Sequence, residues 1–81
     1  MEMKIRLFTA LRDGAGKEEV LLPWRQGITY RDILEELKRN YQAMASLLDC
    51  SFVAVNGRYA ERHEALMPED EVAVLPPVSG G

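Results

Sequence analysis

The chain contains few of the residues on which disulfide-rich, metal-binding and nucleic-acid-binding proteins depend. Its 81 residues include one cysteine and one histidine, so no internal disulfide can form and no metal site is expected. Lys and Arg number 10 against 13 Asp and Glu, a formal net charge of −3. A protein that binds along a phosphate backbone normally presents a basic surface instead. We therefore expect neither a metal nor nucleic acid among its ligands.

Long hydrophobic runs are also missing. No apolar segment approaches the length that spans a membrane, and the N-terminus begins with an alternating pattern instead of a basic region and an apolar run. We expect a cytoplasmic protein without membrane contact. With 47% hydrophobic and 28% charged residues, the composition predicts one globular domain, whose short chain allows only a small core.

The first part of the chain has the pattern of a β-hairpin. Residues 3–8 alternate between inward and outward positions, with a period of two that predicts a half-buried strand. Residues 13–16, Asp-Gly-Ala-Gly, have the composition of a turn. Residues 19–22 resume an extended apolar stretch that Pro23 ends. We predict two paired strands joined by a long loop.

The next segment changes to the period of a helix. Thr29 is suited to cap it, with Asp32 reaching back to complete a capping box, and Glu35 and Arg39 are spaced to pair on the outer face. Residues 43–48 fit either a short second helix or a packed loop. The predicted apolar stripe consists of Tyr30, Ile33, Leu34, Leu37 and Tyr41.

Three further strands are predicted in the second half. Residues 52–55 form an apolar run that is followed by Asn56-Gly57, a tight-turn signal, and by a short returning strand over residues 58–60. Residues 71–75 predict a last, well-buried strand, which Pro76-Pro77 end because proline cannot donate a ladder hydrogen bond. One helix packed across a mixed sheet buries these faces economically.

The last six residues form a candidate tail. We predict a folded domain over residues 1–75 and a flexible tail over residues 76–81, which reaches roughly 20 Å when extended. Prolines stiffen its root, and glycines without side chains fit a narrow tunnel. The candidate reactive group is the α-carboxylate of Gly81, which must be activated, for example as an acyl adenylate, before sulfur attack yields a thiocarboxylate. The tail residues are Pro76, Pro77, Val78, Ser79, Gly80 and Gly81.

Three segments carry a family resemblance that extends over nearly the whole chain. They are residues 66–81 (LMPEDEVAVLPPVSGG), residues 8–13 (FTALRD) and residues 54–57 (AVNG). Together they resemble the small subunit of molybdopterin synthase, a family of ubiquitin-like sulfur carriers. The resemblance implies an α+β fold of the ubiquitin-like β-grasp type, with a mixed sheet of four to five strands packed on one main helix.

The same resemblance implies a function in molybdenum cofactor biosynthesis. Gly81 would be adenylated by a ubiquitin-activating-like enzyme that consumes ATP, and would be sulfurated from a donor such as a cysteine desulfurase. The thiocarboxylate would then donate sulfur to the pyranopterin precursor inside the large subunit, in an assembly of two large and two small subunits. This chain would bind no cofactor and would contribute no catalytic side chain.

Docking residues are expected beside the root of the tail. Phe8, Leu75 and Val78 are predicted to form an apolar patch there, and Arg12 either forms an ion pair across the interface or stays in water. The family often has an aromatic residue where this chain has Leu75. Cys50 and His63 are interpreted as a thiol without a neighbouring base and a solvated loop histidine.

Several alternatives stay open from the sequence. The chain also fits a ubiquitin-like modifier joined to lysines through Gly81, a sulfur carrier for thiamine synthesis or tRNA thiolation, or an interaction domain with an inert tail. The choice between a molybdenum and a tungsten pathway, the identity of the activating enzyme and sulfur source, and self-association of the isolated chain are likewise open.

Overall fold

The computed structural model describes residues 1–77, and residues 78–81, which belong to the predicted flexible tail, lie outside the described part. The elements in chain order are β1 (Glu2–Leu7), α1 (Thr9–Ala15), β2 (Glu19–Pro23), α2 (Tyr30–Asn40), a 3-10 helix (Gln42–Met44), α3 (Ala45–Asp49), β3 (Phe52–Val55), β4 (Arg58–Tyr59) and β5 (Val72–Leu75).

The five strands form one mixed sheet in the order β2-β1-β5-β3-β4. β1 pairs with β2 antiparallel and with β5 in parallel, while β3 pairs antiparallel with both β5 and β4. α2 lies across one face of this sheet, because its buried stripe belongs to the same hydrophobic cluster as the inward side chains of the strands. This is the ubiquitin-like β-grasp fold, as predicted.

The core follows the alternation in the sequence. Every second residue of β1 is buried, and the same period places one face of β3 and of β5 against α2. Each apolar side chain that is fully buried contributes about 1.5–3 kcal/mol, so a small cluster suffices for a domain of this length. The fully buried large side chains are Met3, Ile5, Leu11, Ile33, Leu37, Leu48, Val53, Val55, Leu66, Val72 and Val74.

The connection between β1 and β2 differs from the prediction. The hairpin pairing is confirmed, but its loop contains α1, and Gly14 lies within that helix. A Cβ on Gly14 would be 2.5 Å from the Sδ atom of Met44, so tertiary packing places glycine there. Leu11 anchors the helix in the core, and Gly16, with φ 75°, ends it.

Other segments agree with the prediction or refine it. The segment left open over residues 43–48 is helical, as the 3-10 helix and α3. The turn between β3 and β4 has positive φ at Asn56 (53°) and Gly57 (85°), as its sequence predicts. Strand β4 is shorter than residues 58–60, and Leu75 is only half-buried although the last strand was predicted to be well buried.

The N-terminus of α2 is closed by the predicted capping box. The backbone N–H of Thr29 donates to Asp32 Oδ2 (2.9 Å), and the backbone N–H of Asp32 donates to Thr29 Oγ1 (3.4 Å). The hydrogen bond from the Thr29 backbone is the main cause that lowers the pKa of Asp32 below its ordinary 3.8, and Arg25 and Arg31 act in the same direction. The carboxylate is therefore stabilised in its charged form.

The predicted pair between Glu35 and Arg39 is wrong. Glu35 instead faces Arg31, with Oε1 3.5 Å from Nε, and Arg39 faces Glu36, with Nη2 3.2 Å from Oε2. Both alternative pairs have helical spacing, so the sequence alone does not choose among them.

We predict that Asp32→Ala lowers the free energy of unfolding by about 0.5–1 kcal/mol at neutral pH, the usual value of a helix cap. Because folding lowers the pKa of Asp32, the contribution of its carboxylate to the free energy of unfolding is complete above pH 3.8. It is lost as the pH falls through the pKa of Asp32 in the folded state. Urea unfolding at neutral pH and at about pH 3 measures it. The control is Asp13→Ala, at an exposed carboxylate on α1. If Asp32→Ala lowered the free energy of unfolding equally at both pH values, the capping role of the charged carboxylate would be contradicted.

Candidate functional site

The parallel pair of β1 and β5 defines the place where the tail leaves the domain. Ile5 lies opposite Val72, and the register continues to Leu7 opposite Val74. Since parallel strands run in the same direction, the residues that follow this pair, Phe8 and Leu75, reach the same edge of the sheet. Two segments that are far apart in sequence thus meet at the root of the tail.

Apolar side chains from four strands or their ends converge at this edge. They line a shallow surface cavity of about 530 Å³, and the Phe52 and Tyr59 rings form a T-shaped pair with centroids 5.9 Å apart. Tyr59 is 71% exposed and Phe52 50%, so the rings face solvent. We call this surface the tail-root patch; its residues are Phe8, Thr9, Phe52, Tyr59, Leu75, Pro76 and Pro77.

The structure brings some of the predicted site residues together and leaves others apart. Phe8, Leu75, Pro76 and Pro77 all line the tail-root patch. Arg12 does not line it: the side chain lies on α1, with Nε 3.8 Å from a carboxylate oxygen of the adjacent Asp13. The remaining predicted residues, Val78, Ser79, Gly80 and Gly81, are outside the described residues.

Three residues of the patch were missed from the sequence. Phe52 lies directly opposite Leu75 on β3, and Tyr59 lies opposite Ala54 on β4. The period of two marks Phe52 as outward-facing, which was the available signal, but only the strand register brings it to the tail. No sequence signal marks Thr9, because the positive φ of its backbone belongs to the start of α1, a helix that was not predicted.

A second shallow cavity, of about 480 Å³, adjoins the patch on the outer face of the sheet. Phe8 lines both cavities. The floor includes the small residues Ala54 and Ala73, while β1 contributes Lys4 and Arg6. The Arg6 guanidinium lies 5.5 Å from the centroid of the Phe8 ring, within cation–π range.

The opposite wall of that second cavity is an acidic turn, residues 69–71. Hydrogen bonds hold it rigidly: Asp70 accepts from the Met67 backbone N–H (2.8 Å) and from Asn56 Nδ2 (3.0 Å), and the Glu71 backbone N–H donates to Asn56 Oδ1 (2.9 Å). The outer face therefore presents fixed negative charge beside the basic residues of β1, which suits a partner surface of mixed charge.

Among residues 1–77, the remaining polar residues give no further site. Cys50 and His63 are both exposed. Residues 1–77 contain no group of three or more side chains placed to hold a metal ion, and no helix among them is long and apolar enough to cross a membrane. On β4, Arg58 forms a two-point ion pair with Glu64 (3.0 and 2.5 Å) that lowers the pKa of that carboxylate.

Comparison with known proteins identifies the family. Residues 5–81 match the sequence profile of the ThiS family. The chain belongs to the ThiS family. The molybdopterin synthase sulfur carrier subunit of Dictyostelium discoideum is 33% identical over 84 residues, covering 99% of this chain and 96% of that protein. The protein of the same name from Chlamydomonas reinhardtii is 32% identical, and each chain is fully covered.

Solved structures share the fold. The small archaeal modifier protein 1 of Haloferax volcanii superposes with a TM-score of 0.82 at 32% identity, over 95% of this chain and 98% of that one. A putative molybdopterin converting factor, subunit 1, from Pyrococcus furiosus gives 0.84 at 31% identity, over 96% and 99%. A Helicobacter pylori complex of subunits 1 and 2 of molybdopterin-converting factor contains a chain of the same fold, with a TM-score of 0.69 at 20% identity and full coverage of both chains.

If the chain docks through the tail-root patch to the large subunit of a molybdopterin synthase, the partner proposed below, we predict that Leu75→Glu weakens this binding by about tenfold or more, because a charge would replace an apolar contact of the patch. Leu75 is half-buried at the end of β5, so the variant should fold. Calorimetric titration measures the affinity, and circular dichroism checks the fold.

Leu21→Glu is the matched control for this variant, because Leu21 is 53% exposed on β2 and does not line the patch. Equal affinities for wild type, Leu75→Glu and Leu21→Glu would show that the patch is not the docking surface.

Proposed function

We propose that this chain is the sulfur carrier subunit of a molybdopterin synthase and that the carboxylate of Gly81 carries the sulfur. The observation that carries the proposal is the tail-root patch, where apolar side chains from β1, β3, β4 and β5 surround Pro76 and Pro77. A carrier must dock at this place if its tail is to enter a partner. The family match through residue 81 and the names of the relatives support the same function.

The geometry at the root suits delivery of a chain end. Pro77 is exposed, and neither Pro76 nor Pro77 has an N–H with which β5 could continue its ladder. The chain is thus released from the sheet beside the patch. Four residues follow, and at about 3.3–3.6 Å per residue they reach roughly 13 Å into a partner that covers the patch. The Gly-Gly end lets that segment pass where any β-carbon would clash.

The chemistry proceeds on the carboxylate of Gly81 and not on the folded domain. An oxygen of this carboxylate attacks the α-phosphate of ATP on a ubiquitin-activating-like enzyme, which forms the acyl adenylate and releases pyrophosphate. The terminal sulfur of a persulfide on a donor such as a cysteine desulfurase then attacks the acyl carbon and displaces AMP. A thiol reductant breaks the S–S bond of the resulting acyl disulfide and releases the thiocarboxylate, which is a good nucleophile. Inside the large subunit the thiocarboxylate sulfur attacks a carbon of the pyranopterin precursor and displaces an oxygen leaving group. Water then hydrolyses the bond between that sulfur and the Gly81 carbonyl carbon, which leaves the sulfur on the pterin and restores the carboxylate.

Repeated loading requires that docking be reversible. The product of such a synthase is a dithiolene with two sulfur atoms, so each pterin takes two loaded carriers, and each must leave after donating. The aromatic side chains of the tail-root patch are exposed, Tyr59 by 71% and Phe52 by 50%, so this surface is in solvent when no partner is bound. Such a patch suits a partner that is bound, released and bound again.

A second candidate function is a ubiquitin-like protein modifier. The specific observation in its favour is the likeness to the small archaeal modifier protein 1 of Haloferax volcanii, at 32% identity. Both functions begin with the same acyl adenylate. They differ in the nucleophile, which is a sulfur atom for a carrier and a lysine amine for a modifier, so the product of the activated chain distinguishes them.

We predict that incubation with the activating enzyme, ATP and a sulfur donor increases the intact mass of the chain by the difference between one sulfur and one oxygen. Deletion of Gly81 should abolish the gain, because the new terminal carboxylate, on Gly80, ends about 3.5 Å short of the adenylation site of the activating enzyme. Intact-mass spectrometry measures both results.

His63→Gln, at an exposed residue outside the tail-root patch, is the control and should be sulfurated like the wild type. A sulfur mass gain on the Gly81-deleted chain would refute the assignment of Gly81 as the reactive residue. Adducts on lysines of other proteins, without any thiocarboxylate, would favour the modifier.

A further inference from the structure

The connection from β1 to α1 contains a backbone conformation that its residue disfavours. Thr9 has φ 47°, in the left-handed region. For a β-branched residue this is an outlier, since the branched side chain collides with its own backbone there. Strain of this kind persists only where the surrounding structure imposes it, and it is concentrated at functional sites. Thr9 also lines the tail-root patch.

The surrounding hydrogen bonds show what imposes the strain. The backbone N–H of Leu7, the last residue of β1, donates to the Glu18 carbonyl (2.7 Å). Two residues after Thr9, Leu11 is fully buried, and its N–H donates to the Phe8 carbonyl (3.1 Å). The chain must therefore pass from the end of β1 at Leu7 to the buried side chain of Leu11 in α1 within three intervening residues. It changes direction at Thr9.

The turn at Thr9 fixes the residue before it. Phe8 keeps an extended backbone (φ −122°, ψ 151°), so its side chain continues the outward alternation of Lys4 and Arg6. Arg6 then stacks on the ring, with 5.5 Å between the guanidinium carbon and the centroid. The backbone turn at Thr9 and the Arg6 side chain stacked on the ring thus hold Phe8 in one orientation at the edge of the tail-root patch.

We propose that Thr9 is a positioning residue for docking: its left-handed turn holds the Phe8 ring in the orientation that a partner binds. This inference rests on the proposed function. An anchor that is already ordered in the free protein loses less conformational entropy on binding, and this raises the affinity. The strain in the free chain is the cost of that order.

Replacement of Thr9 tests the proposal through Phe8. Thr9→Gly removes the strain but lets the turn adopt many conformations, so affinity for the molybdopterin synthase large subunit should fall about three- to tenfold. Thr9→Asn, which tolerates positive φ and retains a side chain, should bind within about twofold of the wild type. In a Phe8→Ala background the effect of Thr9→Gly on affinity should disappear, because Thr9 acts through the Phe8 ring.

Calorimetric titration measures the affinities of the wild type, Thr9→Gly, Thr9→Asn, Phe8→Ala and the Phe8→Ala/Thr9→Gly double variant. Nuclear Overhauser contacts between Phe8 and Arg6 report the ring orientation in the free chain. These contacts should be present in the wild type and Thr9→Asn, and lost in Thr9→Gly. Unchanged contacts in Thr9→Gly, or an equal affinity loss with and without Phe8, would overturn the inference. Failure of the wild type to bind the large subunit would instead overturn the proposed function, and the Overhauser contacts would still decide the role of Thr9 in ordering the ring.

Discussion

The parallel pairing of β1 with β5 is the constraint on which the rest of the structure depends. It joins the first strand to the last and places both at the centre of the sheet. Their inward residues, among them Ile5 and Val72, are fully buried against α2. Their outward residues form the surface that leads to the tail. One pairing therefore closes the core and decides where the chain end leaves the domain.

This constraint fits the proposed function, in which the reagent is the Gly81 carboxylate and the reactions on it are assigned to partners. The domain has to present that end and be recognised. Recognition falls to the side chains that the parallel pair and β3 bring to one edge, where Phe8 and Leu75 meet Phe52. The strained turn at Thr9 then orders the first of these before any partner arrives.

Much of the fold was predictable from the sequence because its signals are local. The alternation in β1, the helical stripe of α2, the capping box and the Asn56-Gly57 turn each depend on neighbouring residues. All are confirmed, except that Tyr41, the last residue of the predicted stripe, follows α2 and is only partly buried. The errors arise where distant residues decide or where two local partners compete. Gly14 has turn chemistry but lies in α1 because Met44 packs against it, and Glu35 has two partners of suitable spacing.

The site was only partly predictable for the same reason. Phe8 and Leu75 were proposed as docking residues from the resemblance and the tail, and the structure places both in the tail-root patch. Their role in docking stays a prediction. Phe52 and Tyr59 were missed because only the register of β3 with its neighbours brings them to that edge. Arg12, the third predicted docking residue, lies on α1 and does not line the patch, and this position could not be foreseen because α1 was not predicted.

The most direct test of the central claim is to map the surface that a partner covers. The chain labelled with nitrogen-15 and carbon-13 would be titrated with the large subunit of molybdopterin synthase, and its chemical-shift changes recorded residue by residue. The account predicts that the changes concentrate at Phe8, Thr9, Phe52, Tyr59 and Leu75 and continue through the tail to Gly81. Changes centred on the outer face of α2, around Glu35 and Arg39, with the tail unaffected, would contradict it.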